Sequence, residues 1–409
     1  MTGDTAVGSP ARMLLFCVLA ALCEGFDVQT AGVAAGGLSR ELHPTAGALG
    51  VFFAAGNAGL LLGAIGGGRL ADRWGHKRVL LASLATFGVF SLATAVAPDM
   101  ASLTAMRFLT GIGLGGAMPN LMALAAIATR ATSRNASIAT TYVGFPLGAV
   151  LSSVIIIMSP QETWRIVFVC GGVAPLIITP LMAVFMPADE RSGHRSAGRP
   201  AGSFVFDLFE QGRWPRTLLA WAGFFLGVLT LHLMLTWLPV LLQASGLSKN
   251  QAALAQAAFN IGGAAAGLVA GFLLDGARRQ GAVLCCVIAL PVSSFLLASS
   301  AHDTRLVYGV VALVGAAVLA AQVIFYGFAQ AIYPLQARGT GLGAAVGAGR
   351  AGSIVGPMFV AMLVGAGRTP QQVLLGILPI VVGCGLCMAA LEYLDARSRG
   401  MALAGPRVG

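Results

Sequence analysis

Apolar residues in this chain come in long unbroken runs separated by short polar stretches. The runs cover 13–37, 49–71, 79–97, 103–129, 136–158, 164–186, 217–242, 252–274, 282–299, 306–333, 339–364 and 373–394. Most approach or exceed the roughly 20 residues that carry a helix across a bilayer. None alternates apolar and polar positions as a barrel strand does. The pattern predicts an all-α membrane protein of twelve transmembrane helices.

The polar stretches orient the chain. If the amino terminus is cytoplasmic, 18 of the 25 Lys and Arg residues fall in cytoplasmic loops and 5 on the far side, the asymmetry expected of cytoplasmic loops. Both termini are therefore expected inside, on a multi-pass protein of the inner membrane. The longest connection divides the sequence into an amino-terminal half (1–186), a cytoplasmic linker (187–215) and a carboxy-terminal half (216–409).

The halves echo each other. Gly68-Arg69-Leu70-Ala71-Asp72 closes the second run, and Gly271-Phe272-Leu273-Leu274-Asp275 closes the eighth, 203 residues later. The same offset carries Gly144-Phe145-Pro146-Leu147-Gly148 to the glycine-rich stretch from Gly347 to Gly352. Two pseudo-symmetric six-helix halves with a binding site at the repeat interface are the signature of secondary transporters.

Composition narrows the class further. Hydrophobic residues make up 57% of the 409, and charged residues 10%, against about 25% charged in soluble domains. The mean hydropathy is +0.84. A soluble enzyme, a disulfide scaffold and a disordered tail are excluded. The net charge of +10 sits in loops rather than in one patch, so no nucleic-acid partner is expected. All seven cysteines lie inside apolar runs and are expected to pack as small apolar residues. There is no phosphate-binding loop and no HExxH motif. The chain is expected to be a non-enzyme that uses neither metal nor cofactor.

Four charges interrupt the apolar runs. Of fifteen acids, only Glu24 and Asp27 lie deep inside a run. Three residues apart, they share a helix face, and a charge at a helix centre costs about 2.5–3.5 kcal/mol on insertion scales. The pair is a candidate for carrying protons. Arg107 lies about two turns into the fourth run and Arg350 about three turns into the eleventh, too deep to reach the interface. A guanidinium offers a fork matched to a carboxylate. Either Arg107 binds a substrate carboxylate, or it pairs with Asp27 or Glu24 and couples protonation to gating; both uses can alternate.

His232 follows Gln29 by 203 residues, which sets it opposite the first-run polar cluster across the repeat, as a titratable group or a ring-hydroxyl partner. Tyr142, Trp237, Gln322 and Tyr326, with Asn57, Asn120, Asn260 and Gln330, are the other polar or amphipathic positions within runs. Aromatic rings with a few polar groups suit an aryl ligand, although polar residues of this kind also join helices.

Several segments resemble a known superfamily. Gly68 to Arg78 (Gly-Arg-Leu-Ala-Asp-Arg-Trp-Gly-His-Lys-Arg) is similar to the loop signature of the major facilitator superfamily. Arg107-Phe108-Leu109-Thr110-Gly111-Ile112-Gly113-Leu114-Gly115-Gly116 is similar to its fourth-span motif. Glu24-Gly25-Phe26-Asp27 resembles the acidic motif of the aromatic acid:proton symporter family, and the stretch from Cys23 to Gly37 is nearest to its hydroxyphenylpropionate branch. Arg338-Gly339-Thr340-Gly341 with Gly349-Arg350 and Gly356-Pro357 resembles that family's eleventh span. Where relatives usually carry a glutamate near the cytoplasmic end of the fourth span, this chain has Ile127.

The resemblance implies the major facilitator fold and import of an aromatic carboxylate, such as a hydroxyphenylpropionate or hydroxybenzoate, with protons. The expected partners are that substrate, protons and the lipid bilayer, and a monomer is expected. Asp72, Arg73, Gly75, Lys77, Arg78 and Asp275 are expected to act in gating rather than substrate contact. Proton-coupled efflux and a non-transporting sensor are the alternatives.

Overall fold

The computed structural model describes residues 10–127, 134–160, 163–186, 209, 213–274, 279–300, 305–333 and 338–403. Twelve helices run through them, as the apolar runs predict: α1 (Pro10–Leu42), α2 (Ala46–Trp74), α3 (His76–Val96), α4 (Met100–Ile127), α5 (Arg134–Met158), α6 (Arg165–Phe185), α7 (Trp214–Ala244), α8 (Lys249–Leu274), α9 (Arg279–Ser300), α10 (Val307–Ile332), α11 (Arg338–Gly365) and α12 (Pro370–Leu403). Among the described residues, ten of these are long and apolar enough to cross a membrane. Helices are the economical answer, because in lipid every backbone N–H and C=O must be satisfied within the chain.

Polar side chains fix several helix starts. Thr45 accepts from the Ala48 N–H at 3.2 Å and opens α2. At 203 residues' distance, Ser248 opens α8 through a reciprocal box: Gln251 Oε1 accepts from the Ser248 N–H at 2.8 Å, and Ser248 Oγ accepts from the Gln251 N–H at 3.3 Å. Thr369 and Gln372 do the same for α12 at 3.1 and 3.3 Å. Asp99 and Ser102 do so for α4 at 2.8 and 3.3 Å. Each box satisfies donors that a helix start leaves bare.

The residues form two compact units. One contains the amino-terminal residues to Arg195 together with Leu235–Ile261 and Pro357–Gly367; the other contains Ser196–Met234, Gly262–Gly356 and Arg368–Gly409. In the first unit α2 packs on α4 with backbones in contact. A Cβ on Gly59 would collide with the Phe108 carbonyl, and one on Gly115 with the Leu60 carbonyl. α1 meets α5 in the same way, since a Cβ on Gly148 would collide with the Leu22 carbonyl oxygen. The second unit repeats this contact between α7 and α11, where a Cβ on Gly352 would collide with the Phe225 carbonyl oxygen. Small residues let helices approach until packing and weak polar contacts hold them, which is how helices associate where lipid removes the hydrophobic drive.

The repeat also governs helix ends. Lys77, at the start of α3, donates to the carbonyls of Ala183 (3.0 Å) and Met186 at the end of α6. Arg279, at the start of α9, pairs with Glu392 at 3.2 Å and Asp395 at 2.7 Å, late in α12. A cation thus serves a helix C-terminus in one unit and carboxylates in the other.

Candidate functional site

The first unit gathers the acidic and one of the basic candidates. Glu24 is 3% exposed and Asp27 fully buried on α1, so the predicted shared face does point inward. Across from it, Arg107 of α4 is 5% exposed. Its Nη1 donates to Asp27 Oδ2 at 2.8 Å, and its Nη2 reaches the Asp27 carbonyl at 3.4 Å. The guanidinium also lies 5.8 Å from the centroid of the Phe168 ring. Arg107 and Asp27 thus form a buried ion pair.

The other carboxylate oxygen has a different neighbour. Ser91 of α3 donates to Asp27 Oδ1 at 3.0 Å, and the same hydroxyl stands 3.2 Å from the Phe168 carbonyl of α6. The Asp27 side chain therefore joins α1, α3 and α4, and Ser91 extends the link to α6. Ser91 is fully buried. Nothing in the sequence marks it, since a serine in an apolar run is ordinary.

Gln29, two residues on along α1, is also buried. Its amide group donates to the Leu235 carbonyl at 3.1 Å and its oxygen accepts from Gln256 and Asn260, both at 3.1 Å. This amide cluster ties α1 to the α7 and α8 residues of the same unit. Gln256 is a second residue that sequence reasoning passes over. Trp237 belongs here too: it donates to the Pro357 carbonyl at 3.0 Å and meets Phe53 edge-on at 5.5 Å.

The second unit gathers His232, Gln322, Tyr326 and Arg350 around α7. His232 Nδ1 lies 3.1 Å from the Val228 carbonyl; in a neutral ring that bond makes Nδ1 the donor and Nε2 the acceptor. Gln322 of α10 points at the notch left by Gly227, where a Cβ would come within 2.7 Å of its Nε2. That Nε2 is buried and has no hydrogen-bond partner among the described residues. One residue along α7, Val228 packs where a Cβ on Gly349 of α11 would stand 2.9 Å away. Arg350 follows directly and stands within electrostatic reach of His232. Its half-buried guanidinium has no carboxylate partner among the described residues. Tyr326 stacks edge-on against Phe224 at 5.1 Å.

The gating candidates lie where α2 ends and α3 begins. Asp72, Arg73 and Arg78 are exposed. Gly75 turns the chain between the two helices at φ 87°, a conformation that favours glycine. The side chain of Tyr142, and Asp275 altogether, lie outside the described residues. Among the described residues no group of His, Cys, Asp or Glu is arranged to hold a metal ion.

Comparison with known proteins places this arrangement. The model of the Major Facilitator Superfamily matches residues 17–357. The chain is 36% identical to the 3-(3-hydroxy-phenyl)propionate transporter of Escherichia coli, over 98% of both chains. It is 31% identical to the 4-hydroxybenzoate transporter PcaK of Pseudomonas putida, over 90% of this chain and 89% of that one. Among solved structures, a D-xylose-proton symporter superposes with a TM-score of 0.77 at 16% identity, covering 93% of this chain and 97% of that chain.

Proposed function

Since the chain belongs to the Major Facilitator Superfamily and to its aromatic-acid transporter family, we propose that it imports a hydroxylated aromatic carboxylate together with protons. It is a secondary transporter of an aromatic carboxylate, of the hydroxybenzoate or hydroxyphenylpropionate kind. It is not an enzyme.

The observation that carries the assignment of residues is the inequality of the two deep arginines. Arg107 already holds a carboxylate. Arg350 holds none among the described residues, and a deep cation is too costly to persist without one. Arg350 is therefore the group that takes the substrate carboxylate, and Gln322 Nε2, facing the same stretch of α7, adds a neutral donor. Tyr326 and Phe224 supply aromatic surface for the ring.

Asp27 is the proton carrier. While ionised it grips Arg107 by a charge-assisted bond, and on protonation that bond loses its ionic part. Arg107 is then freed to re-pair, so α1 and α4 loosen when the proton binds. Glu24, one turn away on the same face, is a second carrier. Alternating access delivers both cargoes to the cytoplasm, with the protein as a monomer in the inner membrane and both termini cytoplasmic. The six-helix halves at 1–186 and 216–409 are the moving parts.

The test is binding calorimetry with an aryl acid and its matched amide. Arg350→Ala should weaken the acid about tenfold to a hundredfold and leave the weak amide almost unchanged. Equal loss for both would show that Arg350 does not bind the carboxylate.

A further inference from the structure

Asp27 has two oxygens in unlike settings, and the difference decides where a proton can sit. Oδ2 faces the Arg107 Nη1 at 2.8 Å. A guanidinium has only donors, so a hydrogen on Oδ2 along that bond would point at another hydrogen, and Arg107 offers it no acceptor. Oδ1 faces Ser91 Oγ at 3.0 Å. A hydroxyl both donates and accepts, so Ser91 can serve Oδ1 in either protonation state.

The hydroxyl has somewhere to send its own hydrogen. Ser91 Oγ is 3.0 Å from Asp27 Oδ1 and 3.2 Å from the Phe168 carbonyl. One hydrogen cannot make both bonds at full strength. A carbonyl oxygen carries two lone pairs, so Phe168 can accept from Ser91 in addition to its helical bond. Room for this comes from α6, where a Cβ on Gly171 would stand 3.3 Å from Ser91 Oγ.

From this geometry we infer that Ser91 is a positioning residue for proton coupling, which fixes the carried proton on Asp27 Oδ1. With Asp27 ionised, Ser91 donates to Oδ1. When a proton arrives it binds Oδ1, the new O–H donates to Ser91 Oγ, and the serine hydrogen rotates to the Phe168 carbonyl. No covalent bond of Ser91 is broken, its donated hydrogen bond is exchanged for another, and no charge is left on it. Oδ2 stays clear of the proton, so neutralisation acts on the Arg107 bond without a clash. The ionisable groups facing Asp27 are Arg107 from α4 and, on α1 itself, Cys23, with Glu24 one turn before it on that helix. α3 presents Ser91 and α6 presents Phe168. The described side chains of α5 present none.

The inference rests on Asp27 as the proton carrier, and one experiment separates the two claims. Infrared difference spectra between low and high pH, on the full-length protein in liposomes, report protonated carboxyl groups by their C=O stretch. A carboxyl that donates a hydrogen bond absorbs at lower frequency than a free one. Wild type and Ser91→Thr should share a low-frequency band that Asp27→Asn removes, and Ser91→Ala should move it to higher frequency. In the same liposomes Ser91→Ala should lose about tenfold more proton-driven accumulation than counterflow exchange, the size of one hydrogen bond to a charged group, and Ser91→Thr should restore it. A band that stays in place in Ser91→Ala would overturn the role of Ser91 while leaving Asp27 as carrier. Bands that all survive Asp27→Asn would overturn Asp27 as carrier, and Ser91 with it.

Discussion

Asp27 on α1 and Thr230 on α7 stand 203 residues apart, at matching positions of the internal repeat, and their surroundings differ. Asp27 reaches across to Arg107 and Ser91. Thr230 folds its hydroxyl back on the Leu226 carbonyl of its own helix at 2.8 Å. Around them the scaffold is conserved between the units. Gly148 against the Leu22 carbonyl matches Gly352 against the Phe225 carbonyl. The two deep arginines break the repeat, one on α4 and one on α11. Packing is therefore what the two units share, and charge is what distinguishes them. The first unit pairs its deep arginine with a buried carboxylate, and the second holds Arg350 with no carboxylate partner among the described residues.

The largest effect should come from removing that distinction at its acidic end. Asp27→Asn keeps the shape but cannot carry a proton. Proteoliposomes with this variant should equilibrate an aryl acid and support counterflow, yet fail to concentrate it under a pH gradient. Wild-type accumulation would remove Asp27 from coupling. At the basic end, Arg350→Lys keeps the charge but loses the fork, so affinity for the acid should fall by less than in Arg350→Ala, measured by calorimetry on monodisperse protein. Arg107→Lys should leave affinity closer to wild type and slow proton-driven uptake instead. If Arg107→Lys costs more affinity than Arg350→Lys, the two arginines have been given each other's roles.

Much of this layout is legible in the sequence because a charge inside an apolar run stands out. Glu24, Asp27, Arg107 and Arg350 were visible for that reason, and the 203-residue offset was visible in Gly68 to Asp72 and its echo. The pairing of Arg107 with Asp27 in particular was not, since it depends on a distance between residues 80 positions apart. Ser91 and Gln256 carry no signal of their own; only the approach of α3 to α1, and of α8 to Gln29, gives them partners. Helix ends also outrun the apolar pattern. α1 extends to Leu42 although its apolar run stops at residue 37, because a helix at the interface still satisfies its own backbone and lets Arg40 and Glu41 face water.

A middle-sized effect tests the shared scaffold. Gly148→Ala and Gly352→Ala each place a methyl group against a carbonyl of the neighbouring helix. Overpacking of this kind costs about 1–3 kcal/mol. Both should lower the thermal midpoint in detergent by similar amounts, with the acid affinity retained in the protein that remains folded. A midpoint lowered by only one of them would mean that the repeat in sequence is not a repeat in packing.

The smallest effect separates the units by their helix starts. α4 begins with the box of Asp99 and Ser102, and α12 with that of Thr369 and Gln372. The geometry is the same, but only the first contains an ionisable cap. The Ser102 N–H and hydroxyl hold the Asp99 carboxyl below its ordinary value of 3.8. A lowered value means that the folded helix start favours the ionised form. Its contribution is present above the ordinary value and is lost as pH falls through the lowered one. Asp99 is fully exposed, so solvent screens the effect and only the first turn should respond. Hydrogen-exchange protection in the first turn of α4 should fall as the medium is acidified below about pH 4, while the first turn of α12 keeps its protection. Asp99→Asn retains a capping side chain that does not titrate, and should abolish the pH dependence while keeping most of the protection. Equal acid sensitivity at both helix starts would show that the loss is global, and the carboxylate at Asp99 would then have no separate part in holding α4.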